Sequence, residues 1–244
     1  MVTARATERP VRMVFTTRDG GVSEAPYGSF NLGDHVGDDP AAVATNRGRL
    51  AEILGLDAER FMFMEQLHTP TVTEVTADML GSGSVPATDA LVTTLRDVPL
   101  VVLTADCVPL LLADQDARVI AAVHAGRIGA RNGIVRRAVQ RMVELGANPA
   151  AIHAVMGAAA SGENYEVPAD MAADVESRLP GAKTRTKQGT TGLDIRAGIA
   201  RQLEGLGVGA VDIDPRCTIA SDNLFSYRRE GTTGRQAGVI WMPS

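Results

Sequence analysis

VPLVVLTADCVPLLLAD, residues 98–114, contains the longest apolar stretches of this 244-residue chain, and VIAAVHAG, residues 119–126, continues them after a short polar turn. Amphipathic helices show polar positions at a period of 3.6 and one-sided strands at a period of 2. Neither rhythm is present here, so both segments read as strands buried on both faces. The quartet Thr104-Ala105-Asp106-Cys107 is the one polar interruption, and His124 stands at the end of the second strand, just before Gly126. If the two segments are neighbours in a sheet, Cys107 and His124 face one pocket.

Outward from that centre, strands and helices alternate. VRMVFTTR, residues 11–18, reads as an opening strand ending at Gly20-Gly21. Asp39-Pro40 opens a helix closed by Gly55, with Ala42, Val43, Leu50, Ile53 and Leu54 as its buried stripe. Short extended pieces follow at FMFMEQLH, TVTEVT and DALVTT. Beyond Gly129, NGIVRRAVQRMVELG spaces Ile134, Val135, Ala138, Val139, Met142 and Leu145 as one helical face. The second half reads as strand IHAVMGA, helices PADMAADVESRL and LDIRAGIARQLEGLG, strand VDIDPRCTI and a last strand AGVIWM. Several neighbouring strands have no helix between them. The expected class is therefore α/β (α+β), a layered sandwich of mixed β-sheet covered by helices rather than a strictly parallel doubly wound fold. No linker or repeat divides residues 1–244, so one catalytic domain is expected.

A formal net charge of -5 argues against a nucleic-acid partner. The apolar runs are too short to cross a bilayer, and MVTARATERPVRMVF has no h-region or cleavage site. These features lead us to expect a cytoplasmic chain, monomer or homodimer, whose partners are small molecules. In that compartment Cys107 and Cys217 are expected to be free thiols, or one of them a ligand or nucleophile, rather than a disulfide.

Chemistry concentrates around scarce residues. There are four histidines, His35, His68, His124 and His153. A thiolate with imidazoles suits Zn²⁺, and three protein ligands leave a fourth position open. Spacing alone does not single out such a site, because no C-x-x-C or H-E-x-x-H pattern occurs. A buried apolar Cys107 and a hydrogen-bonded core His124 account for the same residues. Arg47 can hold a phosphate or solvate a surface carboxylate. Asp106 is a candidate general base, an orienting partner for a ligand, or a local cap. His35, beside Asp34, reads as lining the mouth of the site or as a turn residue. Arg228 and Arg229 form a basic cluster, and His153, without polar companions, reads as structural.

An ordered set of motifs adds to this. FTTRDGGVS, SFNLGDHVGDD, TNR, QLHTP, TDALVT, TADCVPLLL, VHAGRIGARNGIV, NYEVP, LDI, CT and FSYRREGTTGRQAGVI follow one another over most of the chain. Together they resemble the bacterial laccase-domain, or multicopper-polyphenol-oxidase-like, family, also described as purine nucleoside phosphorylase and peptidoglycan editing factor. The resemblance implies a fold like that of certain cysteine hydrolases and a metal held by His68, Cys107 and His124, with Zn²⁺ expected and Cu²⁺ the alternative. It implies phosphorolysis of inosine and adenosine, with methylthioadenosine as a further substrate and adenosine deaminase as a side activity. With it go Asp106, Cys107 and Arg47 as catalytic candidates and His35, Asn31, Arg127 and Arg228 as substrate-binding candidates. The alternatives are a peptidoglycan-precursor editing hydrolase using Cys107 and a copper-dependent polyphenol oxidase. Four histidines are few for multicopper chemistry. The chain also departs from the family pattern. Arg127-Ile128 replaces the family's Trp-Arg after H-A-G, Ala158 stands for a proline, and Asn164 for a frequent cysteine.

Overall fold

The structure, a computed structural model, describes residues 10–244. Residues 1–9, which carry most of the leader reading, lie outside the described residues. In chain order the elements begin with strand β1 (Arg12–Phe15), helix α1 (Pro40–Leu54) and strands β2 (Phe63–Met64), β3 (Val72–Glu74), β4 (Ser84–Val85) and β5 (Ala90–Thr93). Strands β6 (Leu100–Thr104), β7 (Val108–Asp114) and β8 (Val119–Ala125) follow, then helices α2 (Arg127–Arg131) and α3 (Ile134–Glu144). The second half holds β9 (His153–Met156), α4 (Ala169–Arg178), β10 (Lys183–Arg185), β11 (Thr191–Leu193) and α5 (Ile195–Gly205). It closes with β12 (Ala210–Ile213), α6 (Tyr227–Glu230) and β13 (Gln236–Trp241).

Two sheets carry the architecture. The larger runs β12-β9-β7-β8-β5-β3 and is mixed: its two outer pairs are parallel and its central pairs antiparallel. The smaller, β1-β13-β6, is antiparallel throughout. The polar quartet 104–107 therefore does not interrupt one strand. It is the turn by which the chain leaves the small sheet at Thr104 and enters the large one at Val108.

Alternation along β7 shows why its sequence is apolar throughout. Leu110 and Leu112 pack with Val135, Ala138, Val139 and Met142 of α3 in the core between the large sheet and the helices. Leu111 and Ala113 point the other way, onto Leu100, Val102 and Ile240 of the small sheet. Successive side chains leave opposite faces of a strand, and here both faces are covered. On the far side of the small sheet, Val101, Leu103, Val239 and Trp241 pack against Phe30, Leu50 and Ala51. The result is a layering of α1, small sheet, large sheet and the α3, α4 and α5 layer.

Helix α1 starts as read, with Pro40 at its start and Asp39 accepting from Ala41 N, and Gly55 ends it in the left-handed region at φ 67°. Its stripe is corrected. Ile53 is 69% exposed, and Asn46 and Ala51 are buried instead. The opening strand is shorter than 11–18, because the chain turns away at Thr16 to follow the loop hydrogen-bonded through Arg18. The strand read at VDIDPRCTI ends at Ile213, where Asp214 turns to bind Arg216. Both cysteines are free thiols. No helix among the described residues is long and apolar enough to cross a membrane.

Candidate metal centre

Three separate segments meet at one end of the large sheet. His124 is the last residue but one of β8, only 3% exposed, and Pro109 of β7 is its register partner. Cys107 sits one residue before β7, so the antiparallel pairing of β7 with β8 brings its sulfur to the same end. His68 comes from the loop after β2 and takes a left-handed φ of 61°. One nitrogen or sulfur from each residue forms a set lying within 4.8 Å of one another. His68 Nε2 is 3.7 Å from Cys107 Sγ, and the two imidazoles meet edge to face at 4.8 Å between centroids.

The residue that organises this set is Asp89, at the start of β5. His124 Nδ1–H donates to its Oδ1 at 2.8 Å, leaving Nε2 to face the cluster. The same carboxylate accepts from the backbone N–H of Leu67, His68 and Thr69 and from the Thr69 hydroxyl, so it also fixes the His68 loop. A carboxylate that orients a ligand histidine is a recurrent feature of metal sites. Asp89 lies in the TDALVT motif, but a lone buried aspartate in an apolar strand gave no sign of which side chain it would meet.

Gly126 completes the cradle. A Cβ there would stand 2.7 Å from His68 Cδ2 and 2.8 Å from Cys107 Sγ, so only glycine leaves room for both side chains. Two imidazoles, one thiol, an orienting carboxylate and this close backbone approach fit a Zn²⁺-sized ion with an open fourth side.

Charges within the cluster are strongly coupled. Burial pushes the Cys107 thiol up, but the neighbouring His124 and His68 outweigh it and bring it down to about 6. Burial likewise opposes charge on His124, yet the Cys107 thiolate and Asp89 raise it to about 9. Both shifts favour a thiolate beside an imidazolium. Asp89 is held below the usual carboxylate range: burial works against this, and the bonds from His124 and Thr69 prevail.

Two cavities open on either side of Cys107. One, of about 320 Å³, exposes His68, Cys107 and His124 with His35, Tyr227 and Arg235. The other, of about 150 Å³, shares Ala105, Cys107 and Tyr227 and is bordered by Arg127, Tyr165 and Arg228. His35, Arg127 and Arg228 are thus brought to the centre. Arg228 stacks over Tyr165 at 4.8 Å and donates to the Glu166 carbonyl. Arg235 lies in the last motif, FSYRREGTTGRQAGVI, but nothing in that run distinguished it from its basic neighbours.

Other expected site residues are placed elsewhere or already engaged. Arg47 lies over the Phe63 ring at 3.9 Å, donates from Nε to the Leu32 carbonyl and pairs with Asp34 at 3.2 Å. It borders a different cavity, with Phe61 and Glu59. Asn31 is fully buried, donating to Gly33 O and Asp38 and accepting from the N–H of Gly33 and Arg235, so it braces the backbone of Arg235. The Asp106 carboxylate accepts from Thr218 and Ser226 hydroxyls at 2.6 and 2.7 Å and from Arg228 N at 2.6 Å. These bonds hold a left-handed φ of 100° and turn the quartet so that Cys107 faces the cavities. Asp106 therefore clamps the turn and α6, and it also borders the smaller cavity. His153 does have a polar companion: its Nε2 is 2.7 Å from Asp212 on β12.

Residues 12–243 match the family described as multi-copper polyphenol oxidoreductase laccase. The chain belongs to that family. It is 66% identical over 235 residues to a Corynebacterium glutamicum protein named purine nucleoside phosphorylase, covering 96% of each chain. A Mycobacterium tuberculosis protein of the same name is 54% identical, over 95% of this chain and 92% of its own. Among solved structures of the family's fold, YlmD from Geobacillus stearothermophilus superposes with a TM-score of 0.90 at 32% identity, over 96% of this chain and 92% of its own. A Bacillus licheniformis hypothetical protein, YfiH, gives 0.89 at 31%, over 95% and 92%.

Proposed function

We propose that this protein is a metal-dependent purine nucleoside phosphorylase acting on inosine and adenosine, with methylthioadenosine as a further substrate. The observation that carries the reading is the meeting of His68, Cys107 and His124, within 4.8 Å, at the wall between a cavity of about 320 Å³ and a second one bordered by two guanidinium groups. The names of the relatives supply the reaction class.

In this reading the nucleoside occupies the larger cavity, bordered by His35, Tyr227 and Arg235, and phosphate sits across Cys107 between Arg127 and Arg228. Planar guanidinium forks suit phosphate oxygens. A phosphate oxygen forms a bond to C1′ as the C1′–N9 bond breaks, and that bond's electron pair leaves on the purine. The chain's contribution is to align the two reactants and shield them from water. Zn²⁺, or alternatively Cu²⁺, held by His68, Cys107 and His124 would supply Lewis-acid charge beside the departing group. Adenosine deamination is proposed as a side activity of the same cavity, water replacing the amino group at C6. The partners are nucleoside and phosphate, without nucleic acid or membrane. We further infer one catalytic domain over residues 1–244, cytoplasmic, as a monomer or homodimer.

Chromatography of inosine reactions tests this. Hypoxanthine and a ribose phosphate are expected only when phosphate is present; equal release without phosphate would refute phosphorolysis. A second reading is favoured by the closeness of Cys107 to His124: Cys107 as nucleophile and His124 as base in a hydrolase editing peptidoglycan precursors. Metal analysis separates the two. Stoichiometric zinc lost in Cys107→Ala supports the ligand role, and full activity in metal-free protein supports the nucleophile.

A further inference from the structure

Away from the His-Cys-His centre, a cavity of about 370 Å³ opens among α3, α4 and α5. Its walls carry Arg136 from α3, Arg178 at the end of α4, and Arg201 and Gln202 from α5, with no acidic residue. None of these three arginines makes a hydrogen bond or ion pair among the described residues. Most other arginines described here do, including Arg18 with Glu230, Arg131 with Asp174 and Arg216 with Asp214. The carboxylates nearest in electrostatic reach are already engaged. Asp174 is gripped through both oxygens by Arg131, and Glu176 accepts from the backbone N–H of Gly181 and Lys183.

Three exposed guanidiniums without a hydrogen-bonded carboxylate share one concavity, and on a chain of net charge -5 such a local excess of positive charge favours an anion. The cavity is also large enough for more than a bare phosphate, since small-ligand sites run from about 300 Å³ upward. Gln202 lies seven residues along α5 from Ile195, about 10 Å by helical rise, and Ile195 borders the small cavity beside Cys107. The two sites are distinct but share a helix.

We propose that this cavity binds a phosphorylated sugar or nucleotide, with its phosphate between Arg136, Arg178 and Arg201. The proposal does not depend on the reaction at the His-Cys-His centre.

Calorimetric titration of the full chain with ribose 5-phosphate, inorganic phosphate and ribose tests it. Ribose 5-phosphate is expected to bind more tightly than phosphate, and ribose not measurably. Replacing both Arg178→Gln and Arg201→Gln should weaken binding by about tenfold or more, since each charged hydrogen bond lost is of that order. Arg137→Gln, the same charge change at an exposed position of α3 outside the cavity, should leave binding unchanged. Binding that persists in the double variant but is lost in Arg127→Met belongs to the cavity beside Cys107 and overturns the proposal. So does an absence of binding to the unmodified chain, or equal affinity for phosphate and ribose 5-phosphate.

Discussion

Replacing Gly126 with alanine is a one-carbon probe of the metal centre. Gly126 has φ -72° and ψ 169°, a conformation any residue adopts, so the substitution introduces no backbone strain. What it introduces is a methyl 2.7 Å from His68 Cδ2 and 2.8 Å from Cys107 Sγ. Carbon atoms rest at about 3.5–4.0 Å, so the imidazole must retreat by about 0.8 Å. Metal–ligand lengths tolerate about 0.2 Å. His68, on an exposed loop, is the side chain that yields, and one of three ligands is lost. We expect zinc affinity to fall by at least about 100-fold, beyond the range for losing an orienting partner. In metal-free protein the change should cost only about 1 kcal/mol, the difference between glycine and alanine at a helix N-cap, or about 2–4 °C in Tm. Competition with a chromophoric chelator measures the first, and melting in EDTA the second. Gly48→Ala is the control: it lies in α1 with nothing within 4 Å of its added Cβ, and should be neutral or slightly stabilising. Zinc affinity in Gly126→Ala within twofold of the parent would refute a common ion held in this geometry.

Three further outcomes are expected. Asp89→Asn removes the charge and one of the two acceptor oxygens that serve His124 Nδ1–H and three loop N–H groups, and should weaken zinc binding about 10–100-fold while lowering Tm, read by the same titration and melt. In metal-free protein, alkylation of Cys107 by iodoacetamide should rise with pH around a midpoint near 6, because only the thiolate reacts; a midpoint above 8 would contradict the pairing with His124. Partial desolvation of the Glu230 carboxyl works against its charge, but Thr233, Arg229 and Arg18 hold it down to about 2. A depressed carboxyl stabilises above its unfolded value and loses that contribution as pH falls through the folded one. Glu230→Gln should therefore lower Tm at neutral pH and not near pH 2, and an equal difference at both would count against the network.

Local chemistry made much of the molecule readable in advance. The apolar runs on either side of the 104–107 quartet and at 119–126 required strands covered on both faces, and Pro40, Gly55 and the spacing of 134–145 marked helices, because propensity, capping and periodicity act between near neighbours along the chain. The three ligands were named through motif resemblance rather than spacing, since His68, Cys107 and His124 are separated by 39 and 17 residues and carry no periodic signature. What pairing of β7 with β8, the passage between sheets at 104–107 and the return of 217–235 across the site settled was partnership. Asp106 spends its oxygens on Thr218, Ser226 and Arg228, Asp89 takes the role of orienting the histidine, and Arg47 faces another cavity. Hydrogen-bond partners so distant in sequence are chosen by register and layer packing, which depend on the whole chain at once.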